Sequence, residues 1–243
     1  MRPARLRLLE GFAFECDGAP VVLPVGLQRL LAYLALRGPS HRCAIAGTLW
    51  PEVPESASLA SLRTGFWRVN QLAPGVVEAQ GSALALTGTI TLDAREQESY
   101  ATRLLREPED GAWVSVGLAT LWPTALLPGW YDDWVVFERE RLHQLRLHAL
   151  ERLAELMLER GSLALALQVA LEAVRGEPLR ETSNAVLISV YLAEGNVSDA
   201  LHQYDVYSTL LDRELGLPPS ERIFSLLPVT RRHRDAVVTT GGS

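Results

Sequence analysis

Apolar and polar residues alternate through "LRLLEGFAFECDGAPVVLP" around Asp17-Gly18, which predicts two or more short strands joined by tight turns. From Gly26 the period lengthens: "GLQRLLAYLALRG" has leucines at helical spacing and stops at Gly38-Pro39. Ser40 is then placed to cap a short helix in "HRCAIAGTLW", which Pro51 breaks. A third helix lies in "SLASLRTGFWRVNQLAPG", from Ser58 to Gly75. At 100° per residue Leu59, Leu62, Phe66 and Val69 form its core stripe. Thr64, Trp67, Arg68 and Gln71 point the opposite way, Arg63 and Asn70 lie toward one edge, and Pro74-Gly75 ends the helix. "VVEAQG" and "ALALTGTITLDA" follow as two strand-like segments that pivot near Gly81-Ser82. The predicted order is sheet, three helices, hairpin.

The rest of the chain reads as helix pairs, "LRLHALERLAELMLERG" with "SLALALQVALEAVRGEP" and "ETSNAVLISVYLAEG" with "NVSDALHQYDVYSTLLDRELG". Gly161 and Gly195, Ala166 and Ala200, and Leu167 and Leu201 are each 34 residues apart, the tetratricopeptide period. The repeats are degenerate, because the 34-residue counterpart of Pro178 is Asp212. Such pairs stack into a curved scaffold.

Composition turns this pattern into two bodies. At 243 residues and 48% hydrophobic content the chain has room for one large domain or two ordinary ones. The formal charge of −6 is unevenly spread. Residues 1–95 hold nine arginines against seven acids, a charge of +2, and the remainder carries −8. The expected domains are therefore 1–96, 97–227 and a disordered tail over 228–243. No lysine occurs, so every fixed cation is a guanidinium. Cys16 and Cys43 are too few and isolated for a disulfide framework or a zinc site. Without a signal-peptide core or a run of roughly 18 apolar residues, a soluble protein of the reducing cytoplasm is expected.

Guanidinium and amide groups contact phosphates and base edges, whereas a merely solvated helix more often shows Glu and Lys. The donor face of the third helix, followed by a hairpin, is the layout of a winged helix-turn-helix. With the leading sheet it resembles the DNA-binding domain of OmpR-type response regulators. "LLAYLALRG", "LWPEVPE", "SLRTGFWRVNQ" and "LDARE" resemble the Streptomyces antibiotic regulatory protein family, and "ALLPGWYDDWVVFERERL", Ala125 to Leu142, resembles the opening helix of its bacterial transcriptional activation domain. The fold class expected is an α+β winged helix-turn-helix followed by an all-α tetratricopeptide-like domain.

The resemblance implies a transcriptional activator, dimeric on the direct repeats of promoter DNA, that recruits RNA polymerase to a secondary-metabolite or other specialised gene cluster. Arg63, Thr64, Trp67, Arg68, Asn70 and Gln71 are the DNA-facing candidates, with Gln80 and Ser82 on the wing. Arg68 and Gln71 suit base edges, Arg63 suits phosphate, and Trp67 braces the backbone or packs on the wing. For the loop Trp50 to Glu55 the family implies polymerase contact, through Trp50, Glu52 and Glu55; the other reading is a proline-stiffened connector. Asn70 stands where many relatives carry Arg, and Gly65 either softens the helix or admits close approach to DNA.

Catalytic signatures are missing: there is no phosphate-binding or dinucleotide glycine loop, no H-E-x-x-H and no G-x-S-x-G. His143 and His148 are five apart, which does not align metal ligands on a helix. Asp132-Asp133 reads as helix capping, and Trp130, Tyr131, Trp134 and Phe137 read as core and interdomain packing. No enzyme activity, cofactor, metal or membrane partner is expected. The rival reading is a helical-repeat adaptor whose winged helix does not bind DNA specifically.

Overall fold

The computed structural model describes residues 3–106, 120–121 and 125–228. The expected tail over 228–243 lies, apart from Pro228, outside them. Packing divides the chain into two units, Met1–Ser99 with Pro123–His143, and Tyr100–Trp122 with Gln144–Ser243.

In the first unit β1 (Ala4–Arg7), β2 (Ala13–Cys16), β3 (Ala19–Pro20) and β7 (Ile90–Leu92) form one sheet in the order β3-β2-β1-β7. β1 pairs antiparallel with β2 and parallel with β7. The β2–β3 turn places Asp17 at φ +53° and Gly18 at φ +76°, as the Asp-Gly pair predicts. α1 (Val25–Arg37), α2 (Arg42–Leu49) and α3 (Glu55–Leu72) share with this sheet one core, which includes Leu6, Leu30, Leu34, Ile45, Leu62 and Val69. A second sheet, in the order β4-β6-β5, is built from β4 (Ser40–His41), β5 (Val77–Gln80) and β6 (Ala83–Leu86).

Three expectations are corrected here. Ser40 does not cap α2; it lies in β4, its hydroxyl donates to Gly38 O at 3.1 Å, and α2 has no side-chain cap. "ALALTGTITLDA" is two strands: the chain turns at Thr87–Thr89, and β7 leaves the hairpin to pair with β1. The helical part of the segment Ala125 to Leu142 and the first helix of the repeats form one helix, α5 (Asp133–Glu159), since neither Pro nor Gly occurs between Gly129 and Gly161.

α4 (Asp93–Arg106) begins at Asp93, whose carboxylate accepts from Leu8 N and Leu9 N at 2.9 and 3.0 Å and from Ala94 N at 2.7 Å. Ahead of α5, Leu127 N donates to Leu8 O at 2.8 Å and Glu10 N donates to Ala125 O at 2.7 Å. Asp132 begins α5 through its carbonyl, which accepts from Val135 N and Val136 N, while its carboxylate accepts from Arg29 on α1. Trp130 stacks on Phe12 with centroids 6.1 Å apart, and Trp134 meets Tyr33 edge-on. Tyr131 and Phe137, read with them as packing residues, are exposed.

The second unit continues α5 from Gln144 into α6 (Leu163–Gly176), α7 (Glu181–Ala193), α8 (Val197–Leu215) and the single turn α9 (Glu221–Phe224). The 34-residue period appears as repeated geometry. Gly161 and Gly195 both have positive φ, and Ser162 N donates to Met157 O as Asn196 N donates to Tyr191 O, the same helix-ending motif. Ala166 and Ala200 are each fully buried.

Candidate nucleic-acid interface

α3 is fixed through the face toward α1. Ser58, Leu62, Gly65 and Val69 are buried, and Leu59 and Phe66 pack partly buried against the same core. Gly65 belongs to this inner face: a Cβ there would meet Leu27 and Leu30 methyls at 3.5 and 3.6 Å. Gly65 therefore faces α1 and not the groove, and it does not bring the helix backbone close to DNA.

Arg63, Thr64, Trp67, Arg68 and Gln71 lie on the outer face, with Trp67 61% exposed. Neither arginine has a carboxylate partner among the described residues. Thr64 donates to Ala60 O at 3.1 Å, so its hydroxyl is held against the helix. Arg68 and Thr64 line a hollow of about 450 Å³ with Trp50 and the first turn of α1. Asn70 is half-buried; its amide donates to Phe66 O at 3.1 Å and its oxygen accepts from Gly75 N at 3.4 Å, which ties off the end of α3.

The wing turns at Gly81-Ser82, with Gly81 at φ +62° and Gln80 opposite Ala83. Gln80 donates to Glu78 at 2.8 Å, and Ser82 Oγ lies 3.1 Å from His41 Nδ1. The loop between α2 and α3 exposes Glu52, while Trp50 packs partly buried on the core. Glu55 is already in the first turn of α3, where its charge complements the helix dipole.

Sequence reasoning missed His41 and Arg42. Arg42 N donates to Ser82 O at 3.1 Å, and its guanidinium lies 5.7 Å from the centre of the Phe66 ring. Both residues thus sit where wing, α2 and α3 meet. β4 has only two residues, too few to show a period, and that hid them. Among the described residues no group of three His, Cys, Asp or Glu could hold a metal ion, and no helix is long and apolar enough to cross a membrane.

A basic, amide-bearing helix braced by a second helix and flanked by a hairpin defines a winged helix-turn-helix, here joined to a tetratricopeptide-like domain. Residues 92–228 match the family model described as the bacterial transcriptional activator domain, and the chain belongs to that family, as a regulator of the Streptomyces antibiotic regulatory protein type. It is 31% identical over 216 residues to Regulatory protein AfsR of Streptomyces coelicolor, covering 84% of this chain and 22% of that protein. AfsR of Streptomyces griseus is 30% identical over 219 residues, covering 82% and 21%. The chain spans about a fifth of the length of these curated relatives. Among solved structures, Mycobacterium tuberculosis EmbR in complex with low affinity phosphopeptide shares the fold, with a TM-score of 0.74, 22% identity, and coverage of 93% of this chain and 64% of that one.

Proposed function

We propose that this protein is a sequence-specific transcriptional activator that places α3 in the major groove and the β5–β6 wing on the adjoining backbone. The carrying observation is the outer face of α3, where two guanidiniums without carboxylate partners among the described residues flank an exposed indole and an amide. Arg68 and Gln71 read base edges, since a fork and an amide each make paired hydrogen bonds. Arg63, Thr64, Gln80 and Ser82 position the protein on phosphate, and Trp67 braces the backbone. Asn70 acts through the end of the helix rather than on the groove. Trp50, Glu52 and Glu55 present a surface to RNA polymerase, and the protein acts without a cofactor, in the cytoplasm at the nucleoid.

A front-half charge of only +2 makes nonspecific affinity modest, so a homodimer on direct repeats supplies much of the binding. Mobility shift against DNA upstream of neighbouring genes, with salt varied, tests this. A specific complex that weakens as salt rises is expected. Equal affinity for unrelated DNA, or no complex, would favour the adaptor reading.

A further inference from the structure

The hollow of about 450 Å³ beside α3 opens between that helix and the first turn of α1, wholly within the first unit. Ser61, Thr64 and Arg68 line it from α3, at the three- and four-residue steps that put them on one face. Arg68 and Ser61 are exposed, and neither side chain has a hydrogen-bond or ion-pair partner among the described residues. Thr64 differs, since its hydroxyl donates to Ala60 O. A long side chain on a helix leans back over the preceding turn, which carries the Arg68 guanidinium toward Thr64 and into the lining.

The remaining lining is apolar, with Leu27 and Trp50 its largest side chains, and no acid lines it among the described residues. One guanidinium supplies its charge. A monoanion answers that charge, whereas a dianion would leave its second charge against an apolar wall, which is costly. A carboxylate matches the fork with two parallel hydrogen bonds, and an aromatic body covers Trp50 and Leu27. The volume is that of a small-molecule site.

We propose that this hollow binds a small aromatic carboxylate, which pairs with Arg68 and packs on Trp50 and Leu27, and that the bound acid withholds Arg68 from DNA. The second half rests on the reading of Arg68 as a base contact; the first does not. Binding is therefore measured first without DNA. The full chain is labelled with ¹⁵N, the Trp50 indole signal is assigned by its loss in Trp50→Phe, and 2-naphthoate is titrated against it, with 2-naphthamide as the uncharged match.

A ligand of this size is expected to have a dissociation constant on the order of 1 mM. The carboxylate should shift the Trp50 signal saturably, and the amide should bind at least threefold more weakly. Arg68→Gln, at an exposed position, should bring the carboxylate down to the level of the amide. A Cβ at Gly26, in the lining, would meet nothing within 4 Å, so Gly26→Leu sets a side chain there without displacing a neighbour and should weaken both probes at least threefold. An indole signal unmoved at about ten times the expected dissociation constant, or unaltered binding in Gly26→Leu, would overturn the site. Equal binding of the two probes, or full carboxylate affinity in Arg68→Gln, would overturn the pairing with Arg68.

DNA that gives a specific complex by mobility shift then tests the second half. With 2-naphthoate at about ten times its dissociation constant, apparent DNA affinity should fall about tenfold against the same concentration of sodium chloride, and should fall less in Gly26→Leu, which keeps Arg68. Unchanged DNA affinity in the presence of the bound acid would overturn the competition. Absence of any specific complex would count against the proposed function, while the titration without DNA still decides the site.

Discussion

Arg63 and Arg68 carry the same charge five residues apart on α3, so they diverge by about 140° around its axis and cannot do the same work. Arg68→Ala should lose about 1–3 kcal/mol of specific binding and relax preference at one base pair, while Arg63→Ala should weaken all sequences alike. Affinities for an operator and its single-base variants separate the two, and a uniform loss for Arg68→Ala would move that residue to phosphate. Gly65 makes a different kind of claim. Its Cβ space is ordinary van der Waals contact with Leu27 and Leu30, so Gly65→Ala should gain up to about 1 kcal/mol of helix propensity without strain. The melting temperature should rise and operator affinity stay unchanged. A lower melting temperature would mean that the methyl does not fit against the Leu27 and Leu30 side chains as this spacing allows.

Elements were legible where a period had room to repeat. α1 and α3 follow from their leucine spacing, and the helix pairs from glycines and alanines 34 residues apart. β4 was not, and β7 was read only as the end of the hairpin's second strand, because two and three residues carry no period of their own and their pairing partners lie far along the chain. For the same reason the outer face of α3 was readable and the meeting of His41, Arg42 and Ser82 was not. The α2–α3 connection shows a further limit, since sequence placed Glu52 and Glu55 in one loop while the structure puts Glu55 in the helix. The two charges therefore have different consequences. Glu55→Ala should cost about 0.3–1 kcal/mol of stability through the helix dipole, and Glu52→Ala should cost none. If the loop meets polymerase, Glu52→Ala should leave promoter affinity unchanged yet lower transcription at limiting polymerase, because rim charges act mainly on the rate of encounter. Equal transcription from both proteins would make the loop a connector.

At the scale of the whole molecule the two units answer to different stresses. Glu151 in the second unit accepts from Arg180, Thr182 and Ser183. Burial acts to raise its pKa, but those hydrogen bonds and the Arg180 charge outweigh it and hold the carboxyl below its usual value. The stability this contributes is present above the unfolded-state pKa and is lost as pH falls through the folded one. Melts of the full chain should therefore fall below about pH 4, and less steeply in Glu151→Gln. The first unit instead answers to truncation. The charge shift at Arg95 suggested that residues 1–96 fold alone, but Leu126, Leu127, Trp134, Val135 and Leu142 belong to the front core. Burying those five side chains is worth on the order of 10 kcal/mol, comparable to the whole stability of a domain. Arg139 adds hydrogen bonds to the carbonyls of Leu126, Leu127 and Trp130 at 2.7–2.9 Å, which holds that returning segment in one shape. A fragment ending at residue 96 should accordingly show a poorly dispersed amide spectrum and no cooperative urea transition. A fragment ending at His143 should show both dispersion and cooperativity, and should retain weak DNA binding. A cooperative transition at the same midpoint in the shorter fragment would mean that the returning segment lies on the front core without stabilising it.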